Sequence, residues 1–406
     1  MVLEILTRAA RLLPLLFCAA AADLPPGSRI DPTAERFPEQ RLRSEIAGGR
    51  QSYLVALGNT AFSSPLLFGE PARSAGLSCN SCHVNGHNNR EFHIPGHSAR
   101  PGGLDPAGPL FNRAADDGVF AHVDIPSLRG IRFLAPYGRD GRIASLREFA
   151  RHVIVVEFAG PEPTPEILDA LVAYMNEFEF LPNPRLAGDG ALTGPKSPAE
   201  AAGEPVFAAR CAGCHVPGTA FSDGRAHDVG SDGRFRTPTL LNIAESAPYG
   251  HDGRWADLAA AVEGHAPLPA PDRDALLAYL EAIGGVEEPS GPATFRGEMA
   301  ELATYVGLLD ETLRRQDVPT TRFVVGTVQA ELRRVRRAFP DGDAARLAAR
   351  PDRRKRLPLD YAALEAGLEA VALRAEAGEA ASAQVALDAY HDLAERMVAN
   401  YPRPGR

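Results

Sequence analysis

Toward the C-terminus of this chain, apolar residues fall at alternating three- and four-residue steps. One series is Phe295, Met299, Leu302, Val306, Leu309 and Leu313, and the next is Val325, Val328, Leu332, Val335 and Phe339. That spacing draws one apolar stripe along an α-helix. Tyr361, Leu364, Leu368 and Val371 begin a third stripe, and the segment to Tyr401 makes a fourth. Four amphipathic helices with short connections predict a helical bundle over residues 287–406. Earlier in the chain, helical periodicity surrounds two near-identical hexapeptides, DALVAY at 169–174 and DALLAY at 274–279. The Pro- and Gly-rich stretch 181–198 lies between them and reads as a linker.

The start of the chain follows neither rhythm. Arg8 and Arg11 precede an apolar run that ends in small residues before Asp23, which is the pattern of a secretory leader cleaved after Ala22. The run is short for a membrane span, and a retained anchor is the alternative. Hydrophobic residues make up 45% of the chain and charged residues 23%, with a net charge of -9. No part of the chain forms the basic footprint that nucleic-acid binding requires.

Beyond the leader stand four cysteines, in the pentapeptides CNSCH (Cys79, Cys82, His83) and CAGCH (Cys211, Cys214, His215). In an exported protein four cysteines suggest two disulfides, and Cys with His suggests zinc. A histidine directly after both pairs favours a third reading, since C-x-x-C-H is the attachment sequence of c-type haem. The thiols form thioethers to the porphyrin and the histidine ligates the iron. Two covalent haem c groups are therefore expected.

Both pentapeptides are followed by the same text. IPSLRGIRFLAPYGRDGRIASL (125–146) aligns without a gap with TPTLLNIAESAPYGHDGRWADL (237–258). Together with the two hexapeptides, this makes the first 290 residues two copies of one small helix-and-loop unit. The predicted fold is all-α, with tandem cytochrome c-type domains at 23–180 and 199–286, a linker at 181–198 and the bundle at 287–406.

These motifs and their tandem layout, with LLFGEPARSAGLSCNSCH (66–83), resemble the bacterial di-haem cytochrome c peroxidases and their relatives, including the oxidases that mature the tryptophylquinone of methylamine dehydrogenase. The resemblance spans roughly residues 55–285. It implies one haem that reacts with hydrogen peroxide and one that relays electrons from a small donor, a cytochrome c or a cupredoxin. It also implies a periplasmic location and allows a calcium ion between the domains.

In that family the far-side ligand of the second haem stands seven residues after the leucine that follows D-G-R. Here Leu258 leads to His265, so the second haem is expected between His215 and His265, with His227 and His251 as alternatives. The same count from Leu146 reaches Val153, which cannot ligate iron, so the first haem, on His83, is the reactive one. Its far face has competitors: His152 beside Val153, and the loop histidines, of which His97 is preferred and His93 second. Peroxide cleavage needs a proton carrier there, for which Glu157 is the first candidate and Glu148 the second. The family's tryptophan before the first D-G-R is replaced by Arg139, and the only tryptophan is Trp255. Tyr137 could bridge in its place.

The C-terminal segment lies outside the resemblance. Its arginine clusters at 333–337 and 353–356 read as solvated helix faces or as a docking surface for an acidic protein partner.

Overall fold

The computed structural model describes residues 24–31, 37–38, 40–230, 232–285, 290–291, 293–339 and 351–400, with no side chains described at 37, 290–291 and 351–355. The predicted leader 1–22 and most of the second arginine cluster lie outside the described residues and side chains.

The protein is mostly helical. The first half carries α1 (Arg43–Ile46), α2 (Tyr53–Phe62), α3 (Cys79–Cys82), α4 (Leu146–His152) and α5 (Pro165–Met175). Then come α6 (Pro198–Arg210), α7 (Leu258–His265) and α8 (Ala270–Gly284). The C-terminal segment adds α9 (Phe295–Val306), α10 (Leu308–Arg314), α11 (Val318–Ala338), α12 (Pro351–Glu376) and α13 (Ala380–Ala399). The strands are brief: β1 (Phe37–Pro38), β2 (Gly103–Leu104), β3 (Val123–Asp124), β4 (Ala226–Asp228), β5 (Arg234–Arg236) and β6 (Ser290–Gly291). They pair antiparallel as β1–β6, β2–β3 and β4–β5.

The internal repeat is carried by backbone chemistry as well as by matching letters. Ser145 caps α4 by accepting from the Glu148 N–H, and Asp257 caps α7 by accepting from Ala260. Earlier in each copy a short 3-10 turn, Ile131–Phe133 or Ile243–Glu245, is entered through a left-handed residue, Gly130 (φ 65°) in one and Asn242 (φ 59°) in the other. Glycine and asparagine are the residues that adopt this conformation most readily. A second correspondence lies where α2 crosses α5 and α6 crosses α8. A Cβ on Gly58 would stand 2.0 Å from the Ala170 carbonyl oxygen, and one on Gly203 would stand 2.0 Å from that of Ala275. Ala170 and Ala275 are the same position of the repeated hexapeptide, so each unit closes its main helix pair with one glycine against one alanine.

Two hydrophobic cores result. The smaller one, with Phe207, Phe221, Leu240, Val262, Leu276, Tyr279 and Ile283, belongs to the second repeat. The larger one joins Phe62, Phe92, Phe111, Tyr174 and Phe178 of the first repeat to the stripes of α9 to α13. The C-terminal helices therefore share the core of the first repeat and not that of the second. Buried hydroxyls cross this seam, with Ser64 Oγ 2.7 Å from Thr327 Oγ1. The stripe read as continuous over 295–313 breaks at Gly307 into α9 and α10, as expected of a residue with low helix propensity. Within the first arginine cluster, Arg333, Arg336 and Arg337 are exposed. Arg334 instead turns inward, to Glu298, to Glu331 at 2.7 Å and to Asp31 at 3.7 Å.

Candidate functional site

In the first repeat α3 is a single turn, which puts Cys79 and Cys82 on one face with His83 directly after them. Ser78 and Ser81 form a reciprocal capping box that starts the turn. Burial pushes the Cys79 thiol up to about 12 and that of Cys82 further. The cysteines of both pentapeptides are free, and no disulfide joins either pair. His83 points Nδ1 at the Pro126 carbonyl, 2.9 Å away, while burial lowers its pKa to about 4. A neutral imidazole that donates from Nδ1 keeps its Nε2 lone pair for a metal.

His215 repeats the arrangement. Its Nδ1 lies 3.1 Å from the Phe221 carbonyl, the Pro238 carbonyl adds a second acceptor, and burial lowers it to about 4. Pro126 and Pro238 are the same position of the repeat, so the conserved-by-repetition proline has a site role that its identity alone did not reveal. What could have pointed to it is that it follows each C-x-x-C-H in both copies.

Facing His215 is His265, the last residue of α7. Their ring centres are 6.3 Å apart with the planes inclined by 65°. Two imidazoles sharing one metal ion through nitrogens about 2 Å from it hold their centres roughly 6 Å apart. The pair thus has the spacing that one iron between the rings requires. His265 is solvent-exposed, and partial desolvation of its ring lowers its pKa. Its neighbour Gly264 lies under the Trp255 indole, where a Cβ would stand 2.4 Å from Nε1. The two alternatives are engaged elsewhere: His227 Nε2 is 2.7 Å from Asp223, and His251 stacks on Phe235 with ring centres 4.0 Å apart.

At the matching place in the first repeat stands Val153, where α4 gives way to a wider π-helical turn, Val153–Glu157. Glu157, at the end of this turn, accepts from Arg142 Nη2 at 3.2 Å and lies 3.6 Å from His152 Nε2. Sequence reasoning did not single out Arg142, although it is the arginine of the repeated D-G-R. Arg142 also pairs with Asp140 at 3.0 Å, as its counterpart Arg254 does with the equivalent Asp252, and Arg254 adds Asp232 where Arg142 adds Glu157. Glu148 is exposed in the first turn of α4.

The loop histidines are spread out. His97 packs edge-on against Phe111, which in turn packs against Phe158, the residue after Glu157. His93 exchanges two backbone hydrogen bonds with Arg29. His87 is buried, with Nδ1 3.0 Å from Ser127 Oγ. At the seam between the repeats, the Arg139 carbonyl accepts from the Arg236 N–H at 2.7 Å, and burial lowers the pKa of both guanidiniums. Tyr137 is buried and stacks on Phe149.

These donors fit haem c better than zinc. Cys214, Asp223 and His227 gather within 4.8 Å, but among the described residues no corresponding carboxylate and imidazole join Cys79 or Cys82. Zinc would therefore explain one pentapeptide and not the other. A thiol pair with a neutral histidine held by a carbonyl explains both.

Comparison with known proteins bears on the same region. No curated protein matches the chain. Among solved structures, a Kuenenia stuttgartiensis hydrazine synthase pressurized with xenon is similar at 21% identity and TM-score 0.42, over 64% of this chain and 98% of that one. A MauG-like protein associated with microbial copper homeostasis is similar at 18% identity and TM-score 0.40, over 61% and 93%. Residues 206–288, which hold Cys211, Cys214, His215 and His265, match the family described as di-haem cytochrome c peroxidase. That match is confined to the second repeat.

Proposed function

We propose that this protein is an exported di-haem c-type cytochrome that reduces hydrogen peroxide to water with electrons from a small redox protein. The observation that carries the reading is the difference between equivalent positions: α7 ends in His265 facing His215, whereas α4 leads into Val153. Cys79/Cys82 and Cys211/Cys214 would tether haem c, which would supply one-electron chemistry at both sites and peroxide reduction at the first.

The residues divide that work. His215 and His265 would hold the second haem from its two sides, which would suit it to store and relay electrons. His83 holds the first site from one side, and Val153 leaves the other side without a ligand. Glu157 keeps a proton carrier beside that opening, with Arg142 fixing its carboxylate and His152 within reach of it. Arg142 also provides positive charge where the departing oxygen gains negative charge. The leader pattern at 1–22 supports export to the periplasm.

A second reading is favoured by the same histidine. Thioether ligation raises an iron's potential, so histidine in its place makes the second site easier to oxidise. That suits an oxidase that uses peroxide to withdraw electrons from a partner protein.

Absorption and paramagnetic resonance spectra of the purified protein test the proposal. One low-spin bis-histidine haem and one high-spin haem that responds to peroxide once the protein is half-reduced are expected. Two low-spin haems that ignore peroxide would establish a non-catalytic electron carrier instead.

A further inference from the structure

The C-terminal helices bring to the first repeat a buried polar cluster that peroxide reduction does not use. Tyr305 of α9 is 2% exposed. Its hydroxyl donates to the Glu301 carboxylate at 2.5 Å and lies 3.0 Å from Oγ of Ser63, the residue that ends α2. The residue before Ser63 is Phe62, whose ring packs edge-on against Tyr174 at 5.5 Å and Phe178 at 5.6 Å. Tyr174 and Phe178 are themselves 4.8 Å apart. The Phe178 ring covers Gly86 so closely that a Cβ there would stand 2.6 Å from it, and the Gly86 N–H donates back to the His83 carbonyl at 3.0 Å. Ring contacts thus run from the segment after His83 to Tyr174. The Glu301 carboxylate acts on Tyr174 electrostatically and holds the Tyr305 hydroxyl.

The two tyrosines differ in what they can do. A buried phenol loses an electron readily only if its proton leaves as well, because a phenol cation in a low-dielectric interior is costly. The Tyr174 hydroxyl accepts from Gln40 Nε2 at 2.7 Å, and none of its hydrogen bonds among the described residues is to a base. Tyr305 has a carboxylate in place. The groups facing that carboxylate are Tyr305, Tyr174, Glu298, Glu331 and Arg334. Burial raises Glu301 to about 7, so near neutral pH it is poised to take a proton.

We propose that Tyr305, with Glu301 as its proton acceptor, is a reversible one-electron reservoir for the first haem site, reached through Phe178 and Tyr174. The inference rests on the peroxide reading, because peroxide is the two-electron oxidant. In the step, Tyr305 gives one electron to the oxidised site, its O–H bond breaks and a new O–H bond forms on Glu301. The products are a neutral tyrosyl radical, a protonated Glu301 and a site reduced by one electron. A one-electron donor later refills Tyr305, and Glu301 returns the proton.

The test is freeze-quenched paramagnetic resonance of the di-haem protein mixed with peroxide, with haem absorbance followed in the same samples. A tyrosyl signal is expected in the wild type, with a yield that rises as pH passes through about 7, where Glu301 ionises. The signal should fall by roughly tenfold in Tyr305→Phe and by a similar factor, with the pH dependence lost, in Glu301→Gln. A haem that responds to peroxide with no tyrosyl signal, or with one unchanged in both variants, overturns the proposal and leaves the peroxide reading intact. If the haem does not respond, that reading fails. The reservoir is then tested with a photochemically generated ruthenium(III) oxidant, where a signal unchanged by Tyr305→Phe overturns it and one removed by it supports it.

Discussion

His265 faces His215 across 6.3 Å between ring centres, and Val153 occupies the place in the first repeat that His265 holds in the second. Both helices start from a capped leucine, Leu146 or Leu258, and the seventh residue beyond it is a histidine in one copy and a valine, at the start of the π-helical turn, in the other. The first prediction follows from that asymmetry. Replacing His265 by alanine should convert one low-spin haem to high-spin and leave the other spectrum unchanged. Replacing it by methionine should restore a low-spin haem at a higher potential, because thioether ligation favours the reduced iron. Potentiometric titration reads both variants, and spectra unaltered by His265→Ala would remove this histidine from the ligand set.

The two candidate carboxylates are separated by their surroundings. Glu157 shares an arginine and an imidazole at the end of the π-helical turn, while Glu148 is exposed in the first turn of α4. Glu157→Gln should slow peroxide reduction by about 10²- to 10⁴-fold with haem content preserved, the usual range for losing a positioned proton carrier. Glu148→Gln should stay within about twofold of the wild type, since surface changes away from a site are ordinarily near neutral. Steady-state rates at saturating donor decide between them. The reverse ranking would transfer the role to Glu148.

The glycines under the helix crossings make a prediction about folding. Gly203→Ala places a methyl 2.0 Å from the Ala275 carbonyl oxygen, so α6 and α8 must separate. Overpacking of this kind costs about 1–3 kcal/mol. Because the second repeat has its own core, the loss should appear as an earlier unfolding step of that repeat, with the first repeat and the C-terminal helices unaffected. Denaturation followed by the absorbance of each haem separates the two, and a uniform shift of both would mean that the cores unfold as one.

The sequence displayed the chemistry of the site more fully than its architecture. Paired cysteines with an adjacent histidine are legible because the attachment reaction fixes their spacing, and the repeat is legible because the same turn and cap are needed twice. His265 is located by the family resemblance, whose ligand stands seven residues after the leucine that follows D-G-R, here Leu258 at the start of α7. The apolar stripes announced the C-terminal helices, but a stripe states only that a face is buried and not what covers it. Hence the shared core of α9 to α13 with the first repeat, and the inward turn of Arg334 to Glu298 and Glu331, could not be read from periodicity. The loop histidines were ambiguous for a related reason: His87, His93 and His97 sit on irregular backbone, where no period fixes a direction.

Among those loop histidines His87 carries the acid sensitivity. It is 4% exposed, and burial first, with Arg129 and Arg90 adding to it, lowers its pKa to about 3. Unfolded, the same imidazole titrates near about 6.5. Between these values the unfolded chain binds more protons than the folded one, so stability rises with pH there. The contribution is complete above about 6.5 and is lost as pH falls toward about 3, at up to about 1.4 kcal/mol per pH unit. Glu301 acts in the opposite direction, since a carboxyl raised to about 7 weakens the fold as pH climbs toward that value. His87→Gln removes the first effect and leaves the second. Urea unfolding at pH 6.5 and at pH 4.5 should therefore show the wild type losing about 2 kcal/mol more than the variant on acidification. Equal losses would show that His87 is protonated in the folded protein as easily as in the unfolded chain.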